Sequence, residues 1–419
     1  MNKKRQKPNG WLIFFLVIGI GLLLYFNIVV VPVMNPLFLP TPTPTRDPVS
    51  YVTEADTLAS EGKYVQAVEV YQGAINADPQ NIQNYLKICR LQIYTNQLEQ
   101  AKVNAQNAIL LDASNSDAYA LLGWTKGFQQ EYLAGEADAQ KAIELDMNSG
   151  LAHASYAYIL ALRVEAGMDE LDTMDKAIEE SRTAIALEPN LLEAHWARCY
   201  VLEITSNYEE AVNELETAVE LNPYISRVYI ALGRNQINTD QLDQAVFQFT
   251  KAYSLNPTDP TPNLFISKIY GTLGEWEKGI QYGTAALRDD PSDPDLYANL
   301  GTLYFRKGQY NQAVDYLKLA VTGGANEDGV AVEGTPLSYD VTIIETYSRY
   351  GLALANINSC NQAVSIANAL LSTVADNENA VYNANEILKI CEENLLNPPT
   401  ATPEPTPTNV TGPTATAQP

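Results

Sequence analysis

A proline returns every 34 residues through the middle of this chain: Pro189, Pro223, Pro257 and Pro291 stand 34 apart. The first three close similar strings, Ala184-Ile185-Ala186-Leu187-Glu188-Pro189, Ala218-Val219-Glu220-Leu221-Asn222-Pro223 and Ala252-Tyr253-Ser254-Leu255-Asn256-Pro257. An earlier copy runs Ala74-Ile75-Asn76-Ala77-Asp78-Pro79. A fixed period of this length means one supersecondary unit stacked many times, since no single copy can bury its own apolar face. Proline cannot continue a helix, so each copy ends there and the next begins. The period therefore predicts an all-α solenoid, which offers a long surface rather than one reaction centre.

Aligning the copies with that proline as position 32 places small residues at fixed offsets. Position 27 holds Ala74, Ala108, Ala142, Ala184, Ala218, Ala252, Ala286 and Ala320. Position 20 holds Ala67, Ala101, Gly135, Ala177, Ala211, Ala245, Gly279 and Ala313. Position 8 holds Gly123, Gly233, Gly301 and Gly351, with Cys89 and Cys199 in two further units, while aromatics such as Tyr85, Tyr229 and Tyr297 take position 4. Small residues at recurring offsets mark where helix backbones approach closely.

This pattern resembles the tetratricopeptide repeat over residues 48–378. The resemblance implies a right-handed superhelical solenoid of about nine helix-pair repeats that binds protein or peptide in a concave groove. There are departures. Ala113 and Met147 stand where two prolines are expected, and the unit ending at Pro189 runs to 42 residues, its excess near 161–171 lengthening a helix or turn. A Gly- and acid-rich loop, 323–338, precedes a divergent ninth unit, and residues 379–397 form an amphipathic capping helix that shields the last apolar face.

The ends are read separately. Residues 1–10 are a basic tail carrying Lys3, Lys4, Arg5 and Lys7. Trp11 to Val31 is a 21-residue apolar run whose only strongly polar member is Asn27. At about 1.5 Å per residue it spans the ~30 Å hydrocarbon core, and the basic flank favours a cytoplasmic N-terminus. A cleaved secretory signal would have a shorter apolar region and small residues at its exit, whereas this exit reads Pro32-Val33-Met34-Asn35-Pro36. The expectation is thus one transmembrane signal-anchor helix, 11–31, before the solenoid, with the repeats outside a cell membrane, in a bacterial envelope. Residues 32–47 read as a Pro/Thr-rich spacer biased to polyproline II. Residues 398–419, with seven Pro and seven Thr, read as a disordered tail.

Charge narrows the partners. After residue 45 the chain carries 22 basic against 50 acidic groups, a formal balance of −28. That argues against nucleic acid and anionic lipid headgroups as partners. Two histidines and four scattered cysteines build no dense metal-ligand cluster, and no phosphate-binding loop, H-E-x-x-H, G-x-S-x-G or dinucleotide fingerprint occurs. The reading is a protein that is not an enzyme and needs no cofactor. His153 and His195 fall at position 4 and are read as inter-helix packing residues.

The resemblance further implies that the first helix of each pair lines the groove, chiefly through positions 2, 5, 9, 12 and 13. Those offsets give Arg90, Ile93, Tyr94, Trp124, Phe128, Trp196, Tyr200, Arg227, Arg234, Lys268, Phe305 and Arg306. Five cations among twelve positions is an enrichment for so acidic a body, and Arg with aromatics dominates binding hot spots. The expected ligand is an extended peptide or protein tail carrying acidic and apolar side chains. The alternative is that Trp124 and Trp196 pack between helices and the arginines pair with neighbouring Glu. Cys360 and Cys391 lie where stacked turns bring them within reach of a disulfide, permitted in an exterior compartment, the alternative being two buried thiols. The functional expectation is a membrane-anchored extracytoplasmic scaffold in an envelope or surface assembly. Two alternatives are a factor capturing exported clients and an accessory subunit of an envelope-modifying enzyme.

Overall fold

The computed structural model describes residues 10–25, 28, 46–168 and 171–396. The basic tail up to residue 9, most of the spacer and the Thr/Pro tail lie outside the described residues. Helix α1 (Gly10–Tyr25) comes first. Units 1 to 4 are α2 (Pro48–Ser60) with α3 (Tyr64–Ala77), α4 (Ile82–Tyr94) with α5 (Leu98–Leu111), α6 (Ser116–Phe128) with α7 (Tyr132–Leu145), and α8 (Gly150–Glu165) with α9 (Thr173–Leu187). Units 5 to 8 are α10 (Leu192–Ile204) with α11 (Tyr208–Leu221), α12 (Ser226–Asn238) with α13 (Leu242–Leu255), α14 (Thr261–Thr272) with α15 (Trp276–Asp289), and α16 (Pro294–Arg306) with α17 (Tyr310–Thr322). Unit 9 is α18 (Val341–Asn356) with α19 (Cys360–Thr373), followed by α20 (Glu378–Leu396).

The described residues do not show the expected span at 11–31. Among the described residues no helix is long and apolar enough to cross a membrane. Helix α1 has 16 residues, about 24 Å at 1.5 Å per residue, short of a ~30 Å core. Apart from Ile28, residues 26–31 lie outside the described residues.

The small positions are small because the helices press there. All eight alanines at position 27 are at most 2% exposed. From α3 through α15 each one's carbonyl accepts the N–H of the residue that ends the second helix, as Asp78 does to Ala74 and Asn222 to Ala218. A Cβ added at Gly123 would stand 2.9 Å from the Gly135 carbonyl oxygen, and one at Gly135 3.0 Å from that of Gly123, so neither position takes a larger residue without parting α6 from α7.

The turn inside most units carries one left-handed residue: Gly62, Asn96, Gln130, Ser206, Asp240, Gly274 and Gly308, followed by Asn358 in unit 9. In unit 1 the N–H of Lys63 returns to the Leu58 carbonyl at 2.9 Å, the six-to-one bond that ends a helix in this way. Position 4 has a second recurring bond. The hydroxyls of Tyr85, Tyr229 and Tyr297 donate to the carbonyls of Pro79, Pro223 and Pro291, six residues back. His153 and His195 reach the Met147 and Pro189 carbonyls with Nε2 (3.1 and 2.9 Å), while Nδ1 faces Glu180 and Glu214 on the second helix. The histidines thus join helices through hydrogen bonds rather than through packing alone.

The long fourth unit takes up part of its excess in α8, which has 16 residues against 13 in α6 and α10, and the rest in the turn before α9. The 323–338 segment contains a short antiparallel hairpin, β1 (Gly324–Ala325) with β2 (Ala331–Val332). Cys360 and Cys391 are joined as a disulfide, Cα–Cα 5.4 Å, tying the start of α19 to α20.

Candidate binding surface

The first helices of the pairs form the inner wall, and in units 1 to 6 this wall winds tightly enough to touch itself. Glu193 on α10 accepts from the Tyr94 hydroxyl (2.7 Å) and pairs with Arg90 Nε (3.1 Å), both on α4. Arg227 on α12 donates to the side-chain oxygen of Asn96. The Tyr64 hydroxyl donates to Asn222 Oδ1 at 2.6 Å, with Gly62 set directly against the Tyr224 ring. Residues 62–96 and 193–227 are therefore in direct contact. Arg90 and Tyr94 serve this closure. Glu193 is 4% exposed and holds the Arg90 guanidinium in its charged form, while burial and the Glu193 charge push the Tyr94 hydroxyl well above its ordinary pKa.

Behind that contact lies a connected aromatic group. Trp124 is 1% exposed and stacks on Tyr158, ring centres 4.7 Å apart, with Trp196 edge-on at 6.0 Å. Phe128 contacts both Tyr158 and Trp196, and Tyr158 contacts Tyr200. Trp124 belongs to the core and leaves the candidate set, since its rings pack on neighbouring helices where a ligand would have to sit.

Phe128, Trp196, Tyr200, Arg227 and Arg234 do come together. With Tyr158, Ile230, Asp259 and Thr261 they line a cavity of about 280 Å³. Arg234 pairs with Glu203 at 2.8 Å, and the Tyr200 hydroxyl donates to Glu165. The Arg227 guanidinium lies 4.4 Å from the centre of the Phe128 ring. Further along the inner wall, Lys268 and Arg306 meet at a second cavity, about 240 Å³, with Asn299, Arg349, Asp295 and Glu345. Arg349 is held by Glu345 at 2.5 Å, whereas neither Lys268 nor Arg306 lies within ion-pair distance of a described carboxylate. Arg90 and Tyr94 are thus spent on closing units 1 to 6 and Trp124 on the core, Arg227 serves both the closure and a cavity, and the remaining candidates face the two cavities.

Two residues of this surface were absent from the sequence expectation. Tyr158 stands at position 9 of unit 4, the same offset as Trp124 and Tyr200, and Glu193 at position 2, the offset of Arg227. Applying the offsets to every unit and to both signs of charge would have found them. Among the described residues no group of three or more His, Cys, Asp or Glu is placed to hold a metal ion.

Family models described as "Tetratricopeptide repeat" match residues 226–259, which are unit 6, and residues 282–315, which straddle units 7 and 8. Those two stretches are thus similar to tetratricopeptide repeats, and they lie within a continuous row of helix pairs. Solved structures with some likeness include that of Pseudomonas aeruginosa pilF, at 25% identity over 50% of this chain and 91% of that one, with a TM-score of 0.41. A tetratricopeptide repeat protein from Parabacteroides merdae aligns at 12% identity over 61% and 98%, TM-score 0.38, and a MamA protein at 22% over 43% and 94%, TM-score 0.29. A search of the curated proteins finds no match to the chain.

Proposed function

We propose that this chain is a non-catalytic, membrane-anchored extracytoplasmic scaffold that holds segments of partner proteins on its inner wall within an envelope or surface assembly. The observation that carries the reading is the pair of inner-wall cavities, one aromatic with Arg227 and Arg234, the other bordered by Lys268 and Arg306, which have no ion-pair partner among the described residues. Cations placed on the inner wall of a body with charge −28 favour acidic segments there, and the aromatic walls favour apolar neighbours.

Two observations support the location. The apolar run from Trp11 to Val31 follows four basic residues, and the large side chains described in α1 are exposed, which favours a non-aqueous environment for them. The Cys360–Cys391 disulfide favours an oxidising compartment.

The test is crosslinking and capture from membranes, comparing the native chain with a Lys268→Glu/Arg306→Glu variant. Both residues are exposed and outside any described ion pair, and the one described hydrogen bond lost is that of Arg306 Nη1 to the Gly271 carbonyl, at 3.3 Å, so the fold should persist. Loss of a stoichiometric partner in the variant supports the reading. An unchanged set of captured proteins places binding elsewhere and refutes it. Alkaline carbonate extraction tests the anchor: full-length chain in the soluble fraction would exclude it.

A further inference from the structure

The inner wall shows, in its own contacts, what its side chains recognise. Arg90 and Tyr94 together hold one carboxylate, Glu193. In the larger cavity Arg234 holds Glu203 and Tyr200 holds Glu165. Arg227 breaks the pattern. Among the described residues no carboxylate lies within ion-pair distance of it. Its described partners are the neutral side-chain oxygen of Asn96 and the face of Phe128. Asp259, across the same cavity, attracts the guanidinium only from farther off.

A half-buried guanidinium that lies on the Phe128 ring and is matched only by a neutral acceptor is incompletely compensated, because taking a charge from water is costly without an opposite charge. Burial pushes the Arg227 pKa down, the direction expected of an uncompensated cation. A second donor is free: Arg234 Nε is buried and has no acceptor among the described residues. The remaining walls are Phe128, Tyr158, Trp196 and Tyr200, and the cavity volume corresponds to several waters at about 30 Å³ each.

We infer that this cavity is a socket for one carboxylate side chain of a partner segment, Glu or Asp, beside an aromatic or large aliphatic residue, with Arg227 as its counter-ion. The inference rests on the inner-wall binding proposed above and names its chemistry. Arg227 supplies planar, paired N–H donors that match a carboxylate. The neighbouring apolar side chain displaces cavity water and meets the rings. A monoanion fits better than a phosphate, whose second charge would face Glu203 and Asp259.

The experiment uses the full chain and two rhodamine-labelled probes, Ser-Gly-Phe-Glu-Leu-Gly-Ser and the same peptide with Gln for Glu, followed by fluorescence anisotropy. The Glu peptide should bind about tenfold or more tighter than the Gln peptide, a preference that added salt reduces. Arg227→Gln should bring the ratio close to one, and Arg227→Lys should keep part of it, having charge without the planar fork. Lys389→Gln, on α20 outside both cavities, should leave it unchanged. Equal affinities for the two probes in the native chain overturn the socket whether or not any variant folds. A preference that survives Arg227→Gln, or is lost in Lys389→Gln instead, overturns it while inner-wall binding stands. Binding of neither probe also overturns the socket, and the crosslinking comparison then decides inner-wall binding on its own.

Discussion

Replacing Glu193 with Gln should loosen the contact between units 2 and 5 while leaving the rest of the solenoid intact. The carboxylate is buried, accepts from the Tyr94 hydroxyl at 2.7 Å and forms an ion pair with Arg90 Nε at 3.1 Å. A hydrogen bond to a charged group contributes about 1.5–3 kcal/mol, and removing one partner of a fully buried ion pair costs about 3–5 kcal/mol. Two facts lower the figure. The amide oxygen of Gln still accepts from Tyr94, and the Arg90 side chain is 37% exposed, so water recovers part of its solvation. The expected loss is about 2 kcal/mol. A double-mutant cycle with Arg90→Gln should return a coupling energy of about 1 kcal/mol or more, read from urea unfolding. Because solenoid repeats unfold partly independently, hydrogen exchange gives the sharper readout. Protection should fall in residues 82–96 and 192–204 and stay unchanged in α16 to α20. Additive single variants, or protection lost evenly along the chain, would refute the closure as a local, charge-assisted contact.

Three further outcomes follow from named contacts. The Glu214 hydrogen bond raises the folded pKa of His195, so the pair's contribution is fully present below the unfolded value of about 6.5 and is lost as pH rises through the raised folded value. His195→Tyr keeps a donor for the Pro189 carbonyl and removes the titration, so its urea midpoint should vary less than the native one between pH 5.5 and 8.5; an equal variation would refute the assignment. Reducing Cys360–Cys391, which are 31 residues apart, should destabilise α20 by about 3–4 kcal/mol on the chain-entropy model, seen as lost exchange protection in 378–396 on adding dithiothreitol. Ser206→Gly should raise the urea midpoint, by up to about 1 kcal/mol in stability, since Ser206 sits at φ 60°, where a Cβ is strained; an unchanged or lower midpoint would count against strain there.

What could be read from the sequence was what the period dictates. Alanine at position 27 is required wherever α-helices touch at that offset, so the composition of one column exposes the packing of eight units. The left-handed turn residue was not legible. Gly, Asn, Gln, Ser and Asp all occupy it, because the flanking helices impose the backbone and the side chain has little say. The same limit governed the binding surface. Offsets identified the inner wall, but which inner residues meet each other depends on the winding of the superhelix. Arg90 and Arg227 both stand at groove offsets, positions 9 and 2 of their units. One finds Glu193 and the other finds Asn96, residues 103 and 131 positions away. Trp124 is held in the core by stacking on Tyr158 of α8, a contact between neighbouring first helices that the offsets alone do not reveal.

The contrast between an acidic body and a cationic inner wall has a kinetic consequence that separates this surface from ordinary charge attraction. Beyond residue 45 the chain carries −28, so an acidic segment approaching from a distance is repelled and meets Arg227, Lys268 and Arg306 only near contact. At 0.15 M salt the screening length is about 8 Å, and at 0.01 M about 30 Å. Raising salt should therefore speed association of an acidic ligand, because it screens the long-range repulsion first. The same salt should weaken the preference for Glu over Gln, because it also competes at the cations. Stopped-flow anisotropy with the Glu probe should then show an association rate that rises between 0.01 and 0.15 M while the Glu-to-Gln affinity ratio falls. A rate that falls with salt from the outset would mean that the ligand is steered by a cationic surface, and that the inner wall is not where it lands.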